Sequence, residues 1–120
     1  MRLNLENFLT LKSKVTMKYK QLDKIIQRQI KQILQTRDDG QKEYARDVDN
    51  VFANFERVGK YINISREQVL MVYLLKHIDG IMAYINGHKS QREGVEGRIT
   101  DAIVYLLLLR GMVENNEINK

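Results

Sequence analysis

Apolar residues recur at steps of three or four along most of the chain, which is the spacing of one face of an α-helix. The first such series extends over residues 8–33, and its opposite face consists of Lys, Gln and Arg. Asn4 can cap this helix, and no helix breaker occurs before Gln35. The pattern predicts one long amphipathic helix that ends near Gly40, a residue suited to a left-handed cap.

This first helix is too long for the domain that it would serve. About 32 helical residues extend about 48 Å, whereas a 120-residue globule has a radius of gyration of roughly 14 Å. Part of the apolar stripe must therefore find cover elsewhere. We expect a homodimer or higher homo-oligomer formed through residues 8–33, unless a bend near Ser13–Thr16 folds the helix onto its own domain.

Three further helices follow. Helical spacing from Val51 to Ile62 predicts a second helix over about 49–61, with Asp49 or Asp47 as its cap. A capping box formed by Ser65 and Gln68 predicts the start of a third helix over 66–85. Asn86-Gly87 is a suitable end for it. The fourth helix is expected over about 96–114.

The third and fourth predicted helices are apolar on more than one side, and Val104–Leu109 is a continuous apolar run. Such helices are expected to be buried on most sides. The prediction is an all-α fold: a compact four-helix domain in which the third and fourth helices form the core hairpin. Residues 1–37 would be a long amphipathic arm, and residues 38–120 the helical core domain.

Composition narrows the class of protein. The chain has no Cys, which excludes a disulfide framework and Cys-ligated metals, and no Pro. No unbroken apolar run reaches the roughly 18 residues of a membrane span, and the first ten residues do not resemble a signal peptide. We therefore expect no membrane partner and a cytoplasmic protein.

The net charge of +5 is unevenly distributed. Residues 1–37 contain nine Lys/Arg and two Asp/Glu, a net charge of +7, whereas residues 38–120 have a net charge of −2. A basic arm can bind nucleic acid or an acidic partner. It can equally be a solvated helix face, and the sequence leaves both interpretations open.

Ionisable residues lie within the oily third and fourth helices, where a buried charge is costly unless paired. Arg98 and Asp101 share one face of the fourth helix, and His77 and Tyr84 share a face of the third. In an antiparallel hairpin these faces meet. Arg98 and Asp101 could form an ion pair that ties the helices together.

The same residues could instead form a pocket for an anionic ligand. Arg98 lies near a helix N-terminus, where free N–H groups favour phosphate. Lys76, Lys89 and Arg92 could add positive charge, and Tyr84 or Tyr73 could stack on a base.

A metal-assisted enzyme is a further alternative, because Asp and Glu oxygens suit Mg²⁺. All-α nucleoside-triphosphate pyrophosphohydrolases of the MazG type place a Glu-x-x-Glu motif on one helix and a Glu-x-x-Asp motif on another. Glu96 and Asp101 are five residues apart and do not match that spacing. No metal ligands or catalytic residues are assigned from the sequence, and Mg²⁺ would be a cofactor only under this alternative.

Several spaced blocks resemble a family of short phage and prophage proteins related to the nucleotide-modification-associated domain. They are the stretches 44–47, 52–55, 76–77 and 96–106, so the resemblance covers about residues 44–112. It implies a compact helical domain, a phage or prophage origin and a nucleotide-linked role. It also implies candidate ligand-binding residues: Tyr44, Asp47, Asn54, Lys76, His77, Glu96, Arg98 and Asp101. Tyr84 is a further candidate, because it shares a face of the third helix with His77.

The sequence therefore supports three hypotheses about function. The leading hypothesis is a phage-type helical protein that binds a nucleotide or a similar anionic ligand without catalysis, in the host cytoplasm if it is phage-encoded. The alternatives are a Mg²⁺-dependent nucleotide phosphohydrolase and a purely structural or interaction protein.

Overall fold

The computed structural model describes residues 15–43, 49–89 and 94–120. In these ranges it contains four helices and no strand: α1 (Tyr19–Glu43), α2 (Ala53–Ile62), α3 (Arg66–Ile85) and α4 (Val95–Ile118). The all-α prediction is therefore confirmed. The chain divides into two compact units, Met1–Ile30 and Lys31–Lys120. The proposed division at 37/38 into arm and core domain stays a prediction.

α1 begins later than the sequence pattern suggested. Residues 15–18 are not helical, so the prediction of an unbroken helix from Asn4 to Gln35 is wrong at this point; residues 1–14 lie outside the described part. The Gln21 side chain accepts a hydrogen bond of 2.7 Å from the Lys18 backbone N–H and so caps the start of the helix. The sequence had left open a bend near Ser13–Thr16. The structure describes residues 15 and 16 of that stretch, and neither is helical.

α1 also ends later than predicted, because it continues through Gly40 to Glu43. Gly40 does not adopt a positive φ, so the left-handed cap expected there is wrong. An ion pair of 3.0 Å between Lys42 and Asp38 spans Gly40 at i, i+4 spacing, a geometry that slightly favours the helical turn. The hydrogen bond with Asp38, together with its charge, raises the pKa of Lys42.

No residue of α1 is buried. Its stripe of Leu22, Ile26 and Ile30 is about half exposed. Self-association through residues 8–33 stays a prediction.

α2 begins at Ala53, four residues after the predicted start at 49, and Asp49 does not cap it. Asp47, the other cap candidate, lies outside the described residues. Asn50 shapes the entry instead: its side-chain oxygen accepts a hydrogen bond of 3.1 Å from the Phe52 N–H. Its backbone oxygen accepts one of 3.2 Å from the Ala53 N–H. The helix ends on Asn63, which adopts the left-handed conformation at φ 59°.

α3 has the bounds and the capping box that the sequence predicts. The Ser65 side chain accepts a hydrogen bond of 3.1 Å from the Gln68 backbone N–H. In return the Gln68 side chain accepts one of 2.9 Å from the Ser65 N–H. Asn86 caps the C-terminus, and Gly87 adopts a positive φ of 88° directly after it.

α3 and α4 form the predicted antiparallel hairpin. Arg66 at the start of α3 donates hydrogen bonds of 2.9 Å to Asn115 and Asn116 near the end of α4. The core lies between the hairpin and α2. Its buried apolar residues are Phe52, Phe55, Val69, Leu70 and Met112.

An aromatic cluster joins α2 to both hairpin helices. The ring of Phe55 lies 6.0 Å from that of Tyr73 and 6.3 Å from that of Tyr105, and the two Tyr rings lie 6.2 Å apart. These distances fall within the range of favourable aromatic pairs. The cluster fixes the side of the hairpin that faces α2.

Burial on most sides, which we expected for the third and fourth helices, is wrong. α3 buries Val69, Leu70 and Leu74, but most of its other apolar side chains are exposed. Within the apolar run of α4, Leu106 and Leu107 are 52% and 54% exposed. The physical reason is size: α2 has ten residues and packs against one side of the hairpin.

By length and composition alone, α3 could also cross a membrane, since it has 20 residues and is rich in apolar side chains. Only 17% of this apolar segment is buried. This is weak evidence, since core helices of soluble proteins pass the same test. Lys76 and Asp79 lie midway along the helix, where a bilayer disfavours charge. The expected absence of a membrane partner stays a prediction.

Candidate functional site

The candidate ligand-binding residues divide between two cavities in the unit formed by residues 31–120. One cavity is lined by Asn54, His77 and Asp101, and the other by Tyr84, Glu96 and Arg98. Lys76 is exposed and lines neither. Tyr44 and Asp47 lie outside the described residues. The sequence had suggested a single constellation.

The larger cavity has a volume of about 450 Å³. The last turns of α1 form one wall, through residues that include Arg37, Asp39 and Glu43. The hairpin forms another through His77 and Tyr105, whose rings lie 5.5 Å apart. Acidic and basic groups are mixed in this lining, so its charge does not favour an anion.

His77 and Asp101 are neighbours in the larger cavity. His77 Nδ1 lies 3.7 Å from Asp101 Oδ2, which is longer than a hydrogen bond. Nδ1 is buried and has no hydrogen-bond partner in the structure. The pair therefore links α3 to α4 by charge only when His77 is protonated.

The smaller cavity lies at the other end of the hairpin, where α3 ends and α4 begins. Its volume is about 360 Å³. The lining residues described are Gly80, Ala83, Tyr84, His88, Lys89, Gly94, Val95, Glu96 and Arg98. Among these residues Arg98 and Lys89 carry positive charge and Glu96 carries negative charge. The lining is net positive.

Arg98 crosses from α4 onto the backbone of α3 at Gly80. A Cβ atom at Gly80 would overlap with Nη1 and would lie 2.5 Å from Cδ of Arg98. Because Gly80 has no side chain, the Arg98 side chain can lie directly against the α3 backbone at this position. In the described part of the chain, Arg98 Nε is buried there without a hydrogen-bond partner.

The start of α4 adds further unpaired donors. The first N–H groups of a helix have no acceptor within it. Gly94 at the N-cap has no side chain that could accept from them. The helix dipole also favours negative charge at this position, and Glu96 in the first turn provides some.

Arg98 and Asp101 do not form the ion pair that the structural interpretation suggested. In the described part of the chain, Arg98 has no ion pair, and Asp101 Oδ2 lies 3.7 Å from His77 Nδ1. Both residues lie on α4, but Arg98 extends over Gly80 whereas Asp101 faces the larger cavity. The ion-pair interpretation is therefore wrong.

The described residues do not assemble a metal site. No group of three or more His, Asp or Glu among them could hold an ion. Glu96 and Asp101 line different cavities. The Glu-x-x-Glu spacing occurs at residues 114 and 117, but those carboxylates pair with Arg110 and Lys120 at 3.2 and 2.9 Å. It also occurs at residues 93 and 96, the first of which is not described.

Sequence reasoning missed Gly80, Gly94 and His88 as parts of the smaller cavity. Gly80 carried a usable signal: a Gly inside an otherwise strong helical pattern costs about 1 kcal/mol relative to Ala. Such a residue usually has a packing reason. Nothing in the sequence indicated that its neighbour would be Arg98, since the register of two paired helices depends on side-chain packing.

No family model, curated protein or solved structure matches this chain. The resemblance to phage and prophage proteins related to the nucleotide-modification-associated domain therefore stays a prediction, as does the nucleotide-linked role that it implies.

Proposed function

We propose that this protein binds an anionic ligand, a nucleotide in the favoured case, in the smaller cavity around Arg98. The observation that carries the proposal is the environment of Arg98. Among the described residues its Nε is buried without a hydrogen-bond partner, at the N-terminus of a helix that has no side-chain cap. A buried donor without an acceptor is costly, and a phosphate oxygen would supply the acceptor.

The chemistry around Arg98 suits phosphate. A guanidinium offers a planar fork of donors that can bind two phosphate oxygens at once. The helix N-terminus adds backbone N–H groups and a favourable dipole. Lys89 lines the same cavity and can supply a second positive charge.

The dimensions suit a ligand larger than phosphate. A volume of about 360 Å³ lies in the range of small-molecule sites. Tyr84 lines the cavity and is 58% exposed, so a base can stack on its ring without displacing core residues. A phosphate at Arg98 with a base at Tyr84 is the arrangement that we propose.

Binding without catalysis is the form of the proposal that the sequence favours, and a Mg²⁺-dependent nucleotide phosphohydrolase is its alternative. A phage or prophage origin and a cytoplasmic location accompany it as parts of the proposal. They rest on the sequence resemblance and on the expectation from composition.

A thermal-shift screen tests the proposal. Inorganic phosphate, nucleoside monophosphates and nucleoside triphosphates would be added with and without Mg²⁺, and every hit would be assayed for phosphate release. A ligand at 100 times its Kd should stabilise the fold by about 2.7 kcal/mol, or roughly 10 °C in Tm for a domain of this size. Phosphate release would favour the phosphohydrolase instead.

Arg98→Ala is the decisive variant, and Arg110→Ala on the same helix is its matched control. Arg98→Ala should abolish the ligand shift but lower stability by only about 1 kcal/mol, since no buried carboxylate loses its partner. Arg110 lies at the surface and pairs with Glu114, so its removal should leave the ligand shift intact. A screen without hits, or equal loss in both variants, would contradict the proposal.

A further inference from the structure

The hairpin carries two apolar stripes that the other described residues of the chain leave exposed. On α3 the stripe consists of Met71, Leu75, Ile78, Met82 and Ile85, which are 37% to 65% exposed. Their spacing alternates between four and three residues without exception. That alternation is the heptad pattern of helices that pack along their length against other helices.

α4 repeats the pattern. Residues 99, 103, 106, 110 and 113 follow the same alternation of four and three. Ile99, Leu106 and Val113 of this series are exposed, and Ile103 is partly exposed. Only Arg110 is polar, and its ion pair of 3.2 Å with Glu114 lies near one end of the stripe.

Both stripes lie on the side of the hairpin that is turned away from α2. Tyr73 and Tyr105 mark the α2 side, because both rings contact Phe55. At about 100° of rotation per residue, the α3 stripe is centred about 160° from Tyr73 and the α4 stripe about 120° from Tyr105. Because the helices are antiparallel, these rotations bring the stripes to the same side. We call this surface the hairpin apolar face.

We propose that the hairpin apolar face binds a second copy of this chain. Two hairpins that pair through this face would form a four-helix bundle. Heptad spacing on both helices is the pattern of that packing, in which helices cross at about 20° and side chains interdigitate. The interface would be the same patch on both copies, as in the commonest protein dimers.

The area of the face agrees with what a dimer needs. The eight exposed side chains of the two stripes present roughly 700 Å² per chain, if each fully exposed side chain counts as about 180 Å². That exceeds the roughly 300–600 Å² of the largest apolar patch on a typical monomer. It approaches the roughly 800 Å² that each partner contributes to a stable interface.

A membrane surface fits the face less well. Helices that lie on membranes combine an apolar face with a polar face rich in Lys and Arg. The four charged residues of α3 are balanced, two of each sign, and residues 38–120 have a net charge of −2.

Two adjacent leucines of α4 provide the test. Leu106 belongs to the hairpin apolar face, whereas Leu107 lies about 100° around the helix, and their exposed fractions are 52% and 54%. Sedimentation of the full chain should show a dimer at tens of micromolar. Leu106→Glu buries two carboxylates per dimer and should raise the dimer Kd about a hundredfold or more. Leu107→Glu should change it less than about threefold.

Leu106→Ala keeps the proposal testable if the charged variant does not fold, because it shortens the side chain without adding charge. It should weaken the dimer by about tenfold, with an unchanged circular dichroism spectrum. A monomeric wild-type chain overturns the proposal, as does equal weakening by Leu106→Glu and Leu107→Glu. A monomer that co-sediments with phosphatidylcholine vesicles would assign the face to lipid instead.

Dimerisation through α1 is distinguished by a separate variant. Leu22→Glu combined with Ile26→Glu should leave this hairpin dimer in place. If the α1 variant dissociates the protein while Leu106→Glu does not, the hairpin apolar face is not the interface.

Discussion

Gly80→Ala tests whether the Arg98 side chain lies against the α3 backbone at Gly80 in solution, as it does in the structure. In an open helix interior, replacing Gly by Ala stabilises by about 0.8–1.0 kcal/mol. At Gly80 the new methyl group would overlap with Arg98, whose flexible side chain must then leave α3. The gain in helix propensity and the displacement of Arg98 therefore oppose each other at residue 80. The net change in stability depends on whether Arg98 is present.

The size of the opposing effect follows from the packing of the Arg98 stem. Moving it off α3 returns on the order of 40 Å² of apolar surface to water, which costs about 1 kcal/mol. Gly80→Ala should therefore change the free energy of unfolding by less than about 0.5 kcal/mol in the wild-type background. In the Arg98→Ala background it should stabilise by about 1 kcal/mol.

Urea unfolding of the wild type, both single variants and the double variant measures this coupling directly. We expect a coupling free energy of about 1 kcal/mol between the two substitutions. The effects of independent substitutions would add to within about 0.3–0.5 kcal/mol. Additive behaviour would show that Arg98 does not lie over Gly80 in solution. Gly80→Ala should also weaken phosphate binding while the fold persists, because the guanidinium leaves the cavity.

Two other helical glycines calibrate the experiment. Nothing lies within 4 Å of a Cβ at Gly40, so Gly40→Ala should stabilise by about 1 kcal/mol whether or not Arg98 is present. At Gly59 a Cβ would lie 2.5 Å from the backbone oxygen of Ile64, which cannot move aside as a side chain can. Gly59→Ala should therefore destabilise by about 1–3 kcal/mol.

Two further changes test the helix cap and the arm. Ser65→Ala removes the acceptor for the Gln68 N–H and should lower the free energy of unfolding by about 1 kcal/mol in urea titrations; no measurable loss would mean that the capping box is not formed in solution. If the stripe of α1 mediates association of a higher oligomer, Leu22→Glu together with Ile26→Glu should reduce the oligomer size in sedimentation. An intact chain that is monomeric at tens of micromolar would instead place that stripe on its own domain.

The sequence by itself determined α3 and the start of α4, whose end lies at Ile118 and not near residue 114 as predicted. Ser65 and Gln68 fixed the start of α3, and Asn86 and Gly87 fixed its end, because capping depends on residues a few positions apart. The apolar periodicity then identified α3 and α4, and their short connection made them antiparallel neighbours. These are local interactions, so the chain alone specifies them.

The prediction failed where local signals competed with one another. Gly40 suggested a helix end, but α1 continues past it, and the Lys42–Asp38 ion pair spans the glycine. Asp49 is a good capping residue, but Asn50 makes the turn that starts α2. In each case several residues could terminate or cap the helix, and the sequence does not rank interactions of about 1 kcal/mol.

Only the tertiary structure decided which candidate residues meet. Arg98 and Asp101 are three residues apart on one helix, and the sequence allowed a pair; the register against α3 places one over Gly80 and the other beside His77. The structure also showed that apolar sides of α3 and α4 remain exposed, although their composition suggested full burial. Periodicity identifies a face that prefers to be covered, and the number and size of the neighbouring elements decide whether the chain covers it.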